Sequence, residues 1–153
     1  MVQYSKVANT KKTEDSILLT IQLFKINTLF LIICTSILVF IPPFIFELLF
    51  GKDFTNISIS LKYIAIGTVM TGSASILNHY FSGIGKFQYN VYATLLGLLI
   101  TIIGCIYFIP LYGVKGAGIT MSVANTILCL YLFIIFKQKN NISWKMFREA
   151  KMW

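Results

Sequence analysis

Four long stretches of this chain carry no charged side chain: 26–46, 63–85, 87–114 and 116–136. Each matches or exceeds the ~20 residues that cross about 30 Å of hydrocarbon as a helix. A soluble helical bundle needs charged outer faces, and these stretches have none. Charged residues make up only 12% of the chain, against about 25% in ordinary soluble domains. The expected fold is an all-α integral membrane protein with four transmembrane helices, over about 27–49, 57–82, 87–109 and 116–136. Residues 1–25 read as a cytoplasmic link or amphipathic segment, and 137–153 as a basic cytoplasmic tail.

The charges sit between the spans, and their signs predict an orientation. Lys6, Lys11, Lys12 and Lys25 precede the first span, Lys86 separates the second from the third, and Lys137, Lys139, Lys145, Arg148 and Lys151 follow the fourth. Four spans place these ten basic residues on one side, against Lys52, Lys62 and Lys115 on the other. The positive-inside rule then puts both termini in the cytoplasm. The net charge of +8 is explained by flanks that hold this topology and touch anionic head groups, with no nucleic-acid partner required. No signal peptide is expected, because the polar start is too long for an n-region and the first apolar run is of span length. Cys34, Cys105 and Cys129 all fall inside spans and read as small packing residues, not as a disulfide or metal framework. Asn56-Ile57-Ser58 and Asn141-Ile142-Ser143 match the glycosylation pattern, a short match that arises often by chance.

Proline and glycine punctuate the spans. Pro42-Pro43 is expected to kink the outer third of the first span, and Gly51 to stop it before a wet loop at Lys52-Asp53-Phe54. Gly83-Ile84-Gly85-Lys86 reads as a turn; the spacing of a phosphate loop is missing. Pro110 is expected to end the third span at Ile109. Gly113 then permits a positive-φ turn, Lys115 forms its tip and Gly116 opens the fourth span. Gly116, Thr120 and Ala124 recur at four-residue spacing, as do Ala93, Gly97 and Thr101. Such small-residue ridges predict close packing of the two helices. Before the first span, Ile17, Leu18, Ile21 and Phe24 form an apolar stripe behind a helix start at Thr13. That segment either lies on the membrane surface or continues into the span.

Catalytic chemistry has no foothold. No carboxylate lies within a span except Glu47 at the end of the first, and the single histidine has no Cys, Asp or Glu beside it. Neither catalytic residues, a metal nor a cofactor is expected, and the chain is not expected to be an enzyme. One face does stand out. At 100° per residue, Thr68, Thr71, Gly72, Ser75, Asn78, His79 and Ser82 share an arc of about 120° on the second span. Ile66, Met70, Leu77, Tyr80 and Ile84 lie opposite and are expected to face lipid, with Ser73 the one misfit. The polar arc has two readings: hydrogen-bonding glue between helices, or the wall of a transport pathway lined by Thr71, Ser75, Asn78 and His79.

The order of these features resembles the C-terminal part of polysaccharide and oligosaccharide-lipid flippases, the Wzx-type O-antigen and capsule exporters of the multidrug/oligosaccharidyl-lipid/polysaccharide (MATE-like) superfamily. The resemblance is carried by LLFGKDF (48–54), the polar-faced helix reaching Asn78, SGIGKFQYN (82–90), IPLYGVKGAGIT (109–120) and a last helix running into a basic tail. It implies two six-helix lobes working by alternating access, of which these spans resemble the last four helices. It also implies a multi-pass protein of the bacterial inner membrane that moves lipid-linked oligosaccharide for O-antigen, lipopolysaccharide, capsule or exopolysaccharide synthesis. Its partners would be membrane lipid, that substrate, and the remaining flippase helices or another subunit. No binding residue is carried over, since those of the family fall largely in helices without a counterpart here. Two alternatives stay open: a small four-helix transporter that dimerises, a class relying on an embedded acid where this chain has only Glu47 at a helix end, and a non-transporting membrane assembly protein.

Overall fold

The computed structural model of the chain describes residues 13–51, 57–140 and 142. Residues 1–12, the expected loop at Lys52-Asp53-Phe54 and the tail from 143 lie outside them. Within the described residues the fold is all-helical: α1 (Thr13–Phe40), α2 (Pro43–Phe50), α3 (Ile57–Gly83), α4 (Gln88–Tyr112) and α5 (Val114–Lys139). Three segments, Asp15–Phe40, Gln88–Tyr112 and Val114–Lys139, are long and apolar enough to cross a membrane. At 27 residues α3 has the length, and its polar row lowers its hydropathy.

Several boundaries differ from expectation, each for a local reason. The amphipathic segment and the first span are one helix, because neither glycine nor proline interrupts 13–40. Its first turns are covered by protein: Ser16, Ile17, Thr20 and Ile21 are buried. At Pro42-Pro43 the expected kink is a full break. Pro43 pushes the preceding residue to φ −61°, ψ 144° and itself opens α2, the helix position a proline tolerates best. Gly51 (φ 96°) ends α2, its N–H donating to the Glu47 carbonyl at 2.8 Å. The expectation that Pro110 ends the third helix at Ile109 is also corrected, since α4 runs through Pro110 to Tyr112. A proline in a last turn removes only one ladder bond, and the helix stops where Gly113 turns to φ 56°. Accordingly α5 begins at Val114, with Gly116 already inside its first turn.

The turn between α3 and α4 follows from one glycine. Gly85 (φ 72°) donates to the Ser82 carbonyl, and Lys86 N–H reaches back to Phe81 at 2.8 Å. These two bonds make a Schellman motif that satisfies the last carbonyls of α3.

The helices do not pack in chain order. α5 lies between α3 and α4 and packs extensively on both; α1 packs on α3, while α3 and α4 barely touch. The spatial order is α1–α3–α5–α4. Near one end, Gly67 of α3 meets Ser122 of α5; near the other, Tyr80 meets Phe136, so these two helices run parallel. Small residues make α5 a shared wall. A Cβ on Gly104 would fall 2.5 Å from Thr120 Cγ2, one on Gly118 2.8 Å from Tyr63 Cβ, and one on Gly116 would strike the Phe108 carbonyl.

The end formed by Gly83 and Lys139 holds the hydrophobic core, built from Ile17, Ile21, Leu77, Phe81, Leu132 and Ile142 around Tyr80 and Phe136. The Tyr80 and Phe136 rings meet edge to face with centroids 4.8 Å apart, and Tyr80 Oη donates to Asn140 Oδ1 at 2.8 Å. Elsewhere large apolar side chains are exposed, among them Phe30, Ile33 and Ile37 on α1 and Leu99, Ile103 and Ile106 on α4. Water is a poor solvent for such a surface and hydrocarbon a good one.

Gly116→Leu is expected to destabilise the α4–α5 contact by roughly 1–3 kcal/mol through overpacking. Gly97→Ala, whose new Cβ would meet only the mobile tip of Leu128 at 3.1 Å, is expected to be mild. Thermal unfolding of the detergent-solubilised chain would compare them; equal midpoints would contradict the backbone contact.

Candidate functional site

The polar row of α3 turns away from its two main neighbours. Gly67 and Ala74 are buried on the side toward α5, and Ser73 on the side toward α1. Thr68 and Thr71, by contrast, are exposed, and Ser75, Asn78, His79 and Ser82 half-buried. Leu77 and Tyr80, expected to face lipid, are instead fully buried in the core, while Ile66 is exposed. The wheel correctly separated polar from apolar, but burial goes to the apolar arc, because aromatic and aliphatic bulk fills the space between α1, α3 and α5.

Most hydroxyls of the row bond within their own helix. Thr68 Oγ1 donates to the Ile64 carbonyl at 3.2 Å and Thr71 Oγ1 to Gly67 at 2.8 Å. Ser75 Oγ and His79 Nε2 are 3.4 Å apart, one helical turn from each other. These are satisfied side chains on an open polar face. At its inner end the row is closed by α4: Asn90 Nδ2 donates to the Asn78 carbonyl and lies 3.0 Å from Ser82 Oγ. Asn90 Oδ1 is buried without a hydrogen-bond partner. Of the four pathway candidates, then, Thr71 stands open, Ser75 and His79 are paired, and Asn78 lies beside the Asn90 amide. Among the described residues no group of three or more His, Cys, Asp or Glu side chains comes together to hold a metal.

Sequence reading missed the residues that cross between helices. Ser73, the misfit of the wheel, donates to the Val69 carbonyl and so receives the Thr28 hydroxyl, at 2.8 Å each. Beside it Asn27 Nδ2 donates to the Gly72 carbonyl at 2.9 Å. Ser122 Oγ accepts from Gly67 N–H at 3.1 Å and donates to the Tyr63 carbonyl. A signal was present. Asn27, Thr28, Asn90 and Ser122 are polar residues within or at the edge of apolar runs, where hydrocarbon offers no partner and a neighbouring helix must. Such bonds contribute about 0.6 kcal/mol each on average, enough to fix register more than stability.

No family model matches the chain, and no solved structure matches it. The chain is 25% identical, over 111 residues, to the capsular polysaccharide biosynthesis protein CapF of Staphylococcus aureus. The match covers 72% of this chain and 28% of that protein, so the chain spans well under a third of the relative's length. This distant similarity, with the apolar helices, points to a polysaccharide-related membrane protein.

Proposed function

We propose that the chain is the C-terminal part of a membrane flippase that moves lipid-linked oligosaccharide during capsule-type polysaccharide synthesis. The supporting observation is the similarity to CapF over 111 residues of a chain whose surface suits lipid. In this reading α3 is the fourth span. Lys62 and Gly83 bracket it by 21 residues and Lys115 and Lys137 bracket α5 by 22, both close to the ~30 Å of a hydrocarbon core at 1.5 Å per residue. Its exposed polar face then has no place against lipid and turns toward a water-filled passage completed by further helices. The role is transport and not catalysis, in a bacterial cytoplasmic membrane with both termini inside. A non-transporting assembly protein is the second reading, favoured by the hydroxyls of Thr68 and Thr71 being satisfied within α3.

The topology is testable with cysteines on a background lacking Cys34, Cys105 and Cys129. Lys115→Cys is expected to react with an impermeant thiol reagent in intact cells, and Lys86→Cys only after the membrane is disrupted. The reverse pattern would sink the orientation.

Transport is tested in the protein's full-length context. Cysteines at Thr71, Ser75, Asn78 and His79 are expected to react with small water-soluble reagents, and those at Leu77 and Tyr80 to be protected. Asn78→Leu and His79→Leu should lower surface polysaccharide several-fold more than protein abundance. If activity and abundance fall together, or the polar face is as protected as Leu77, the row is glue and the assembly reading replaces the flippase.

A further inference from the structure

Lys62, Tyr63, Tyr112 and Lys115 gather at one end of the bundle, and all four are exposed. A Cβ on Gly118 would lie 2.8 Å from Tyr63 Cβ, so the start of α5 stands level with Tyr63. Tyrosines beside lysines suit the boundary between hydrocarbon and water, where each side chain is half wet. α1 ends at this same level. Asn27 bonds the Gly72 carbonyl, while Val39 and Phe40 share a groove with Ala65 and Ile66. The two helices are therefore antiparallel, and Phe40 lies about one turn from Lys62. The break at Pro42-Pro43 thus falls at the interface. Continued straight, α1 would carry the next eight residues about 12 Å into water. Among them Phe44, Leu48 and Leu49 are 62%, 79% and 68% exposed. These three share an arc of about 140° at 100° per residue, and the buried Phe46 and half-buried Glu47 lie outside it. The broken-off helix, α2, instead touches α3. That helix begins at Ile57, five residues before Lys62, so it extends only about 8 Å past the lysine. Contact with it keeps α2 close to the interface instead of standing clear of it.

The apolar face of α2 also continues the exposed surface of α1, where Ile33, Ile37 and Phe40 lead up to it. Its level and this continuity fit one occupant, lipid. We propose that α2 is an interfacial foot, with Phe44, Leu48 and Leu49 seated among the acyl chains of the leaflet at this end. The double proline turns the chain from crossing the bilayer to lying in its surface. Helices of this kind bury an apolar face about 5–10 Å into the boundary between head groups and chains. The proposal rests on the membrane reading and is independent of the flippase reading.

The test places a nitroxide on single cysteines of the full chain, on a background lacking Cys34, Cys105 and Cys129, in liposomes of phosphatidylethanolamine and phosphatidylglycerol. Power-saturation electron paramagnetic resonance then compares collision with oxygen, which concentrates in lipid, and with a water-soluble nickel chelate. Labels at Phe44→Cys and Leu48→Cys are expected to meet oxygen several-fold more readily than nickel, and the label at Lys115→Cys to show the reverse. Replacing Pro42 and Pro43 by alanine should straighten the helix and shift the Leu48→Cys label toward nickel. Labels on α2 that favour nickel in the unaltered proline background would place the helix in water and overturn the proposal. Labels shielded from both reagents would place it under protein, a second copy or further helices, and overturn it equally. Alkaline carbonate extraction separates the two levels: release of the chain would overturn the membrane reading as well, whereas firm insertion with nickel-accessible labels would overturn the foot alone.

Discussion

The close approach of α5 to two neighbours at once holds the molecule together. Without it α3 and α4 share little beyond a four-residue turn and the Asn90 amide. Gly104, Gly116 and Gly118 are each placed where a methyl group would overlap a neighbour, and Thr120, Ser122 and Ala124 continue the narrow surface down α5. In hydrocarbon no hydrophobic force draws two apolar helices together, so dispersion at short range and hydrogen bonds supply the attraction. Small residues act here by absence: they let backbones approach until those short-range terms count. The aromatic core at the other end complements this, filling with Tyr80, Phe81 and Phe136 a space the glycines have left narrow above.

How much of this was legible in the residues depended on how local the cause was. Charge-free length gave the helices, and Gly51, Gly85 and Gly113 marked real ends, because a positive φ is a property of one residue. Proline was read too strongly at Pro110, where only the final turn was at stake, and too weakly at Pro42-Pro43, where two rings in succession broke the helix. The ridge of small residues on α5 was visible at four-residue spacing, but its second partner was not. A helix wheel separates faces without saying which face another helix will cover. Leu77 and Tyr80 illustrate this: their side of α3 suits lipid as well as it suits a core, and chain order, which would pair α3 with α4, points the wrong way.

The polar face of α3 gains meaning from that arrangement. Had it been buried between α1 and α5, its hydroxyls would be structural glue and nothing more. Instead the bonds to α1 and α5 run through Thr28, Ser73, Asn27 and Ser122, only Asn78 and Ser82 at one end of the row meet Asn90 of α4, and Thr68 and Thr71 stand exposed. In the flippase reading proposed above, that open face would lie beside further helices.

Ser122 ties α5 to α3 through a single hydroxyl. Its hydroxyl stands between the N–H of Gly67 and the carbonyl of Tyr63, two groups that normally bond to each other across one turn of α3. One hydroxyl of α5 thus bonds both members of a ladder pair of α3. The hydroxyl works as a dowel: sliding α5 along α3 by even one residue would withdraw it from both groups and lose the two bonds that tie the helices at this level. Ser122 thus fixes the register of α5 on α3 through a single side chain.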